Sequence, residues 1–182
     1  MNRLYAELRS EVSGNTLSGH AAVFGQHAEI RGGWEEIAPG AFDDVLARDE
    51  DVVALRDHNP ELILGRTASG TLRLEVDGDG LAFEVDLPDT TAGRDVRELV
   101  SRGDLAGASF GFLPGKEALG TAPDGRQLRT HTAIKRLLDV SVVAMPAYVG
   151  TDVRLRHVTF EVPQHRRTQL ILARHRARNA RR

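Results

Sequence analysis

The chain has 182 residues, 41% hydrophobic and 27% charged, with a formal net charge of −2, a make-up that fits one soluble domain with a real core and excludes a disordered or fibrous chain. It has no cysteine, which rules out disulfides, thiolate-held zinc and a cysteine nucleophile, and it has no apolar run long enough to cross a bilayer. The net charge hides a division: residues 164–182 hold seven arginines and no acid, leaving 17 basic against 26 acidic residues in 1–163, so an acidic body carries a basic tail of the kind used for interaction.

Met1-Asn2-Arg3-Leu4-Tyr5 opens a strand-like segment rather than a signal peptide. Residues 3–24 read as two short strands joined at Ser13-Gly14-Asn15, the second running through Leu17, Gly19, Ala21 and Val23 and ending at Gly25. Residues 26–51 read as a connection holding Trp34, a turn at Pro39-Gly40 and a short helix from Ala41 to Ala47. A strand-rich stretch follows: Val52–Leu55, Leu62–Leu64, Thr71–Val76 and Leu81–Leu87 alternate or are compactly apolar. Asp77-Gly78-Asp79-Gly80 is the hairpin signal between the last two. A helix starts at Asp95, carries Val96, Leu99 and Val100 at helical spacing, and closes at Gly103.

Residues 107–112, Gly-Ala-Ser-Phe-Gly-Phe, form the next strand. Ala106, Ala108, Phe110 and Phe112 share its apolar face, and Ser109 stands between two glycines on the other. Residues 114–129 read as a flexible loop marked by Pro114-Gly115, Gly120 and Pro123-Asp124-Gly125. Residues 130–144 return as strand and Pro146 ends it, while the tail from 164 has the pattern of an amphipathic helix. The organisation is a domain over 1–157 and a basic tail over 158–182, helical or disordered. The fold class is mostly β with one or two helices (α+β), arranged as a closed or nearly closed barrel.

Three residues invite chemistry. Ser109, cleared by glycine on either side, offers a hydroxyl that a bulky substrate could reach, as a nucleophile requires; glycine and serine in a strand equally mark a bulge or close backbone packing. His58, in Arg56-Asp57-His58-Asn59-Pro60, follows an apolar strand, where catalytic groups are often placed; an ordinary surface histidine in a turn has the same signature. Asp139 lies inside Leu137-Leu138-Asp139-Val140-Ser141-Val142-Val143 and needs a partner if buried. That partner is either an imidazole N–H, which makes Asp139 the group that orients a base, or an arginine such as Arg136. His131, at the start of the same strand, competes for the orienting role; its plainer reading is a solvent-facing strand residue.

Metal and cofactor motifs are missing. There is no HExxH, GxGxxG or P-loop pattern, and Asp77-Gly78-Asp79-Gly80 lacks the downstream glutamate of a calcium loop and reads as a turn. Neither a cofactor nor a metal is expected. Aromatic residues make up 5% of the chain, too sparse for base-stacking surfaces, so nucleic acid is not an expected partner.

The order of several segments resembles the HK97-type phage prohead proteases, the serine proteases of capsid maturation. The segments are Gly19-His20-Ala21-Ala22-Val23-Phe24-Gly25, Ile37-Ala38-Pro39-Gly40-Ala41-Phe42, Asp57-His58-Asn59-Pro60, Leu64-Gly65-Arg66-Thr67, Gly80-Leu81-Ala82-Phe83-Glu84, Gly107–Phe112, and Leu138–Val143 with Pro146-Ala147. They span residues 3–155. The resemblance implies a fold related to the herpesvirus assembly proteases, a β-barrel ringed by helices. It places the family's histidine on His58 and its serine on Ser109, with Asp139 first and His131 second as the third member. It implies a serine endopeptidase acting on the scaffolding segment of the major capsid protein, and on itself, inside the assembling procapsid in the bacterial host cytoplasm, with a dimer as the working form. The basic tail then suits delivery to an acidic scaffold, or is a solvated terminus. A non-catalytic assembly factor that keeps the barrel is the alternative.

Overall fold

The computed structural model describes residues 15–30, 33–146 and 152–155. In chain order these form β1 (Thr16–Val23), β2 (Ala28–Ile30), β3 (Gly33–Ile37), α1 (Asp43–Ala47), β4 (Val53–Arg56), β5 (Asn59–Arg66), β6 (Leu72–Val76), β7 (Gly80–Asp86), α2 (Thr91–Ser101), β8 (Gly107–Thr121), β9 (Gln127–Val143) and β10 (Asp152–Leu155). The first of the two strands expected in residues 3–24, and the basic tail, lie outside the described residues.

Two sheets result. One is antiparallel, in the order β10-β1-β7-β6. Its inward positions are the alternating apolar residues of β1 and β7: Leu17 and Ala21, then Leu81, Phe83 and Val85. The other runs β2-β3-β9-β4-β5, with β8 also paired to β9. β9 organises this sheet. β3 and β4 lie parallel to it at Leu128–His131 and Asp139–Val142, and β8 runs antiparallel along its other edge.

The class is therefore mostly β with two helices among the described residues, as expected, but the closed barrel is not found: among those residues neither sheet closes on itself and no strand pair joins the two. The sheets meet through side chains. At one close approach, a Cβ on Gly65 of β5 would come within 2.5 Å of Val85 Cγ2. Both sheets and both helices feed one core, which includes Leu17 and Val85, Leu64, Ala108, Phe110 and Val140, Phe42 of the α1 cap, and Val96 and Val100 of α2. Phe42 stands edge-on to Phe110 at 5.6 Å, an aromatic geometry that adds to plain burial.

Three expectations need correction. The helix begins at Thr91 rather than Asp95, because the Thr90 side chain accepts a hydrogen bond from Gly93 N–H and caps it. Gly103, at φ +79°, ends it as expected. Residues 114–129 are not a flexible loop: β8 runs to Thr121 and β9 starts at Gln127, leaving a tight turn between. Pro114 and Gly115 fit because the register shifts around them, as bulges permit. The connection over 26–51 contains β2 and β3, hidden by the consecutive acids Glu35 and Glu36.

Candidate active site

The β4–β5 hairpin positions His58. Arg56 pairs with Asn59, which leaves Asp57-His58 as a two-residue loop with φ of 51° and 55°. Such loops need positive φ at both central positions, and aspartate and histidine are among the few side chains that tolerate it. Holding non-glycine residues there costs of order 1–3 kcal/mol each, so neighbouring contacts must enforce it. Asp57 N–H extends the parallel ladder by donating to Val142 O at 3.0 Å. His58 N–H donates to Ser141 Oγ at 3.2 Å.

β9 brings Asp139 to the imidazole. His58 Nδ1 lies 2.7 Å from Asp139 Oδ1, with the histidine side chain 41% exposed and the carboxylate 14% exposed. Ser141, two residues along the strand, donates to the same Oδ1 at 2.6 Å. The partner of Asp139 is thus a histidine and a serine, and the arginine alternative fails: Arg136 Nε faces Glu50 at 3.8 Å.

β8 brings Ser109 to the same patch. Ser109 pairs with Ser141, and Gly111 with Asp139. Paired residues of antiparallel strands project to one face, with Cβ atoms about 4.5–5.5 Å apart. The row continues through Leu55 of β4 to Ile63 of β5. The opposite face carries the core residues Ala108, Phe110, Val140 and Val142, so Ser109 lies on the outer face while remaining 9% exposed. Among the described residues no hydrogen bond joins Ser109 to His58; they are neighbours through Ser141. Hydrogen bonds between nucleophile and base are often loose before substrate arrives.

The glycines around Ser109 have a different role from the one expected. A Cβ on Gly111 would come within 2.2 Å of Asp139 Oδ2, and a Cβ on Gly107 within 2.7 Å of the Pro146 ring. Both spaces are filled by the protein itself. Gly111 is bare so that the carboxylate has a seat.

His131 lies elsewhere. It is ten positions from Ser141 along β9, about 30 Å at the rise of a strand. It is 2% exposed, its Nε2 lies 3.1 Å from Glu35 Oε2, and its ring stands edge-on to Phe112 at 4.9 Å. The solvent-facing reading is wrong, and the geometry keeps this histidine away from His58.

Arg66, in the Leu64–Thr67 segment, is bound to Asp51 through Nε and Nη2 at 2.7 and 2.6 Å. His20, Asp77 and Asp79 bring one ligand atom each within 4.8 Å of one another. His20 Nε2 lies 2.8 Å from Asp77 Oδ2, and Asp77 Oδ1 accepts from the Asp79 and Gly80 amides. The Asp77 carboxylate closes the turn between β6 and β7, the hairpin the sequence suggested.

Sequence reasoning passed over Ser141. The available signal was its i, i+2 spacing from Asp139, which puts both side chains on one face. The patch joins a carboxylate, an imidazole and two hydroxyls on one sheet face, a set suited to activating an alcohol oxygen. Residues 5–166 match the family model of the caudovirus prohead serine protease. No curated protein matches the chain.

Proposed function

Because this chain belongs to the caudovirus prohead serine proteases, we propose that Ser109 is its nucleophile, His58 its general base and Asp139 the group that orients the base. Membership makes the protein a serine peptidase of capsid maturation with a capsid protein as substrate. Among the described residues no helix is long and apolar enough to cross a membrane.

The contact that carries the assignment is His58 Nδ1 to Asp139 Oδ1 at 2.7 Å, on the face where Ser109 pairs with Ser141. With Nδ1–H donated to the carboxylate, Nε2 keeps its lone pair. Nε2 takes the Ser109 proton as Oγ attacks the scissile carbonyl carbon, and the oxygen of that carbonyl becomes an oxyanion. Collapse breaks the C–N bond, and the imidazolium gives its proton to the departing amine. Water, deprotonated by the same nitrogen, then hydrolyses the acyl-serine. Asp139 stays ionised and stabilises the imidazolium. Backbone N–H groups near Ser109 stabilise the oxyanion, each worth roughly 3 kcal/mol.

The substrate in this reading is the scaffolding segment of the major capsid protein, and the enzyme itself, inside the procapsid. The enzyme works there as a dimer. Seven arginines in residues 164–182 draw it to an acidic scaffold by charge. The test is co-expression of the capsid protein with the wild type and with Ser109→Ala. The wild type removes the scaffolding segment and S109A leaves it intact; unchanged cleavage by S109A overturns the assignment.

A further inference from the structure

We infer that Ser141 is a positioning residue that sets the direction of the His58 ring by holding both its backbone amide and the carboxylate it grips; this deepens the reading of His58, Ser109 and Asp139 given above and rests on it. The protons in the cluster can be placed one by one. His58 N–H is a donor only, and it points at Ser141 Oγ at 3.2 Å. The hydroxyl therefore accepts there, and its own hydrogen turns to another acceptor. Asp139 Oδ1 is that acceptor, 2.6 Å away. An ionised carboxylate only accepts, so the imidazole must be the donor across the 2.7 Å contact to the same oxygen. Every proton is then fixed, Nδ1 carries the ring hydrogen, and Nε2 is left as the base.

Ser141 also ties two parts of the histidine together. Its oxygen holds the backbone amide of His58, which stands at φ +55°, and its hydrogen holds the oxygen that the His58 ring grips. Main chain and ring are thus referenced to one buried hydroxyl, 2% exposed. That hydroxyl is committed both as acceptor and as donor, which sets Ser141 apart from Ser109 as the attacking group. Ser141 acts through His58 and Asp139, without touching substrate. Displacing a catalytic group by an ångström costs roughly 10²-fold in rate, and this is the effect expected when the hydroxyl is removed.

The experiment compares wild type, Ser141→Ala, Ser141→Cys and Ser109→Ala. It uses cleavage of the capsid protein for kcat and KM, a pH–rate profile, and ¹⁵N shifts of the His58 ring. S141A is expected to lower kcat roughly 10²-fold with KM held, to move the pH profile, and to shift the His58 ring resonances while Nδ1 keeps its hydrogen. S141C, similar in size with a weak donor, falls between the two and carries the comparison if S141A does not fold. S109A abolishes cleavage and leaves the ring shifts as in wild type. The proposal is overturned if the serine-141 variants keep the wild-type pH profile and ring shifts, whatever their rate. The ring shifts report on Ser141 even if S109A still cleaves, so failure of the protease assignment and failure of this proposal are told apart.

Discussion

Asp139 rests over Gly111: the two are paired across β8 and β9, and a Cβ on the glycine would come within 2.2 Å of Oδ2. The atom that would be displaced is the end of a movable side chain, not backbone. Gly111→Ala should therefore shift the carboxylate away from His58 and leave the sheet intact. The expected outcome is a loss of roughly 10²-fold in kcat with unfolding free energy changed by less than about 1 kcal/mol. Kinetics and a denaturant titration on one preparation check it. A large stability loss with the residual activity per folded molecule unchanged would contradict this account of Gly111.

Asp139 and His131 were rivals for the orienting role, and their surroundings predict opposite phenotypes. Asp139→Asn keeps the shape but replaces an acceptor-only group, so the imidazole loses its fixed tautomer. Activity should fall on the order of 10³–10⁴-fold with little change in stability. His131→Ala empties a buried site and strips Glu35 of its 3.1 Å partner. It should cost roughly 2–4 kcal/mol and leave kcat near wild type below the melting transition. Measuring both properties for both variants decides the matter; the His131 role gains if H131A is folded and inactive.

Much of this arrangement was readable in advance where it is local. The alternation of Leu81, Phe83 and Val85, with a Gly-Asp turn before it, specified β7 without help from the rest of the chain. The meeting of His58 and Asp139 was not readable from spacing: the two are 81 residues apart. They are brought together by the parallel pairing of β4 with β9, and a parallel register leaves no turn signal in the sequence. β2 and β3 were hidden for a related reason. Glu35 and Glu36 look like a solvated pair, yet Glu35 meets His131 and Glu36 meets His27 and Thr130, partners that exist only after folding. Pro114 and Gly115 misled in the opposite direction, because bulges accommodate both inside a long strand.

Acid should weaken the first sheet through Asp86. Arg73 grips this carboxylate with two nitrogens at 2.8 and 3.0 Å, and Thr16 Oγ1 donates to it at 2.8 Å. These contacts, Arg73 first, lower its pKa from 3.8 to about 2. A depressed carboxylate stabilises the fold above its unfolded pKa and loses that contribution as pH falls through the folded value, here from about 4 to about 2. Both side chains are 46% exposed, so screening limits the gain to under about 1 kcal/mol. Asp86→Asn should be slightly less stable than wild type near neutrality, close to it below about pH 2, and closer to it in high salt. An equal gap at both pH values would show that the charge is not the cause.

Gly93 tests packing against helix propensity. It lies in the first turn of α2, where alanine would ordinarily stabilise a helix by up to about 1 kcal/mol. A Cβ there would stand 2.1 Å from Pro88 O and 3.1 Å from Pro88 C. The obstacle is backbone, which cannot rotate aside as a side chain can. The Thr90 cap depends on the same turn, since Gly93 N–H is its donor at 3.2 Å. Gly93→Ala should therefore destabilise the protein, by about 1–3 kcal/mol as overpacking does, with the helix start moved off Pro88. Thermal unfolding of G93A measures the sign directly: a raised midpoint would mean that the turn relaxes freely and that propensity, not the Pro88 carbonyl, governs this position.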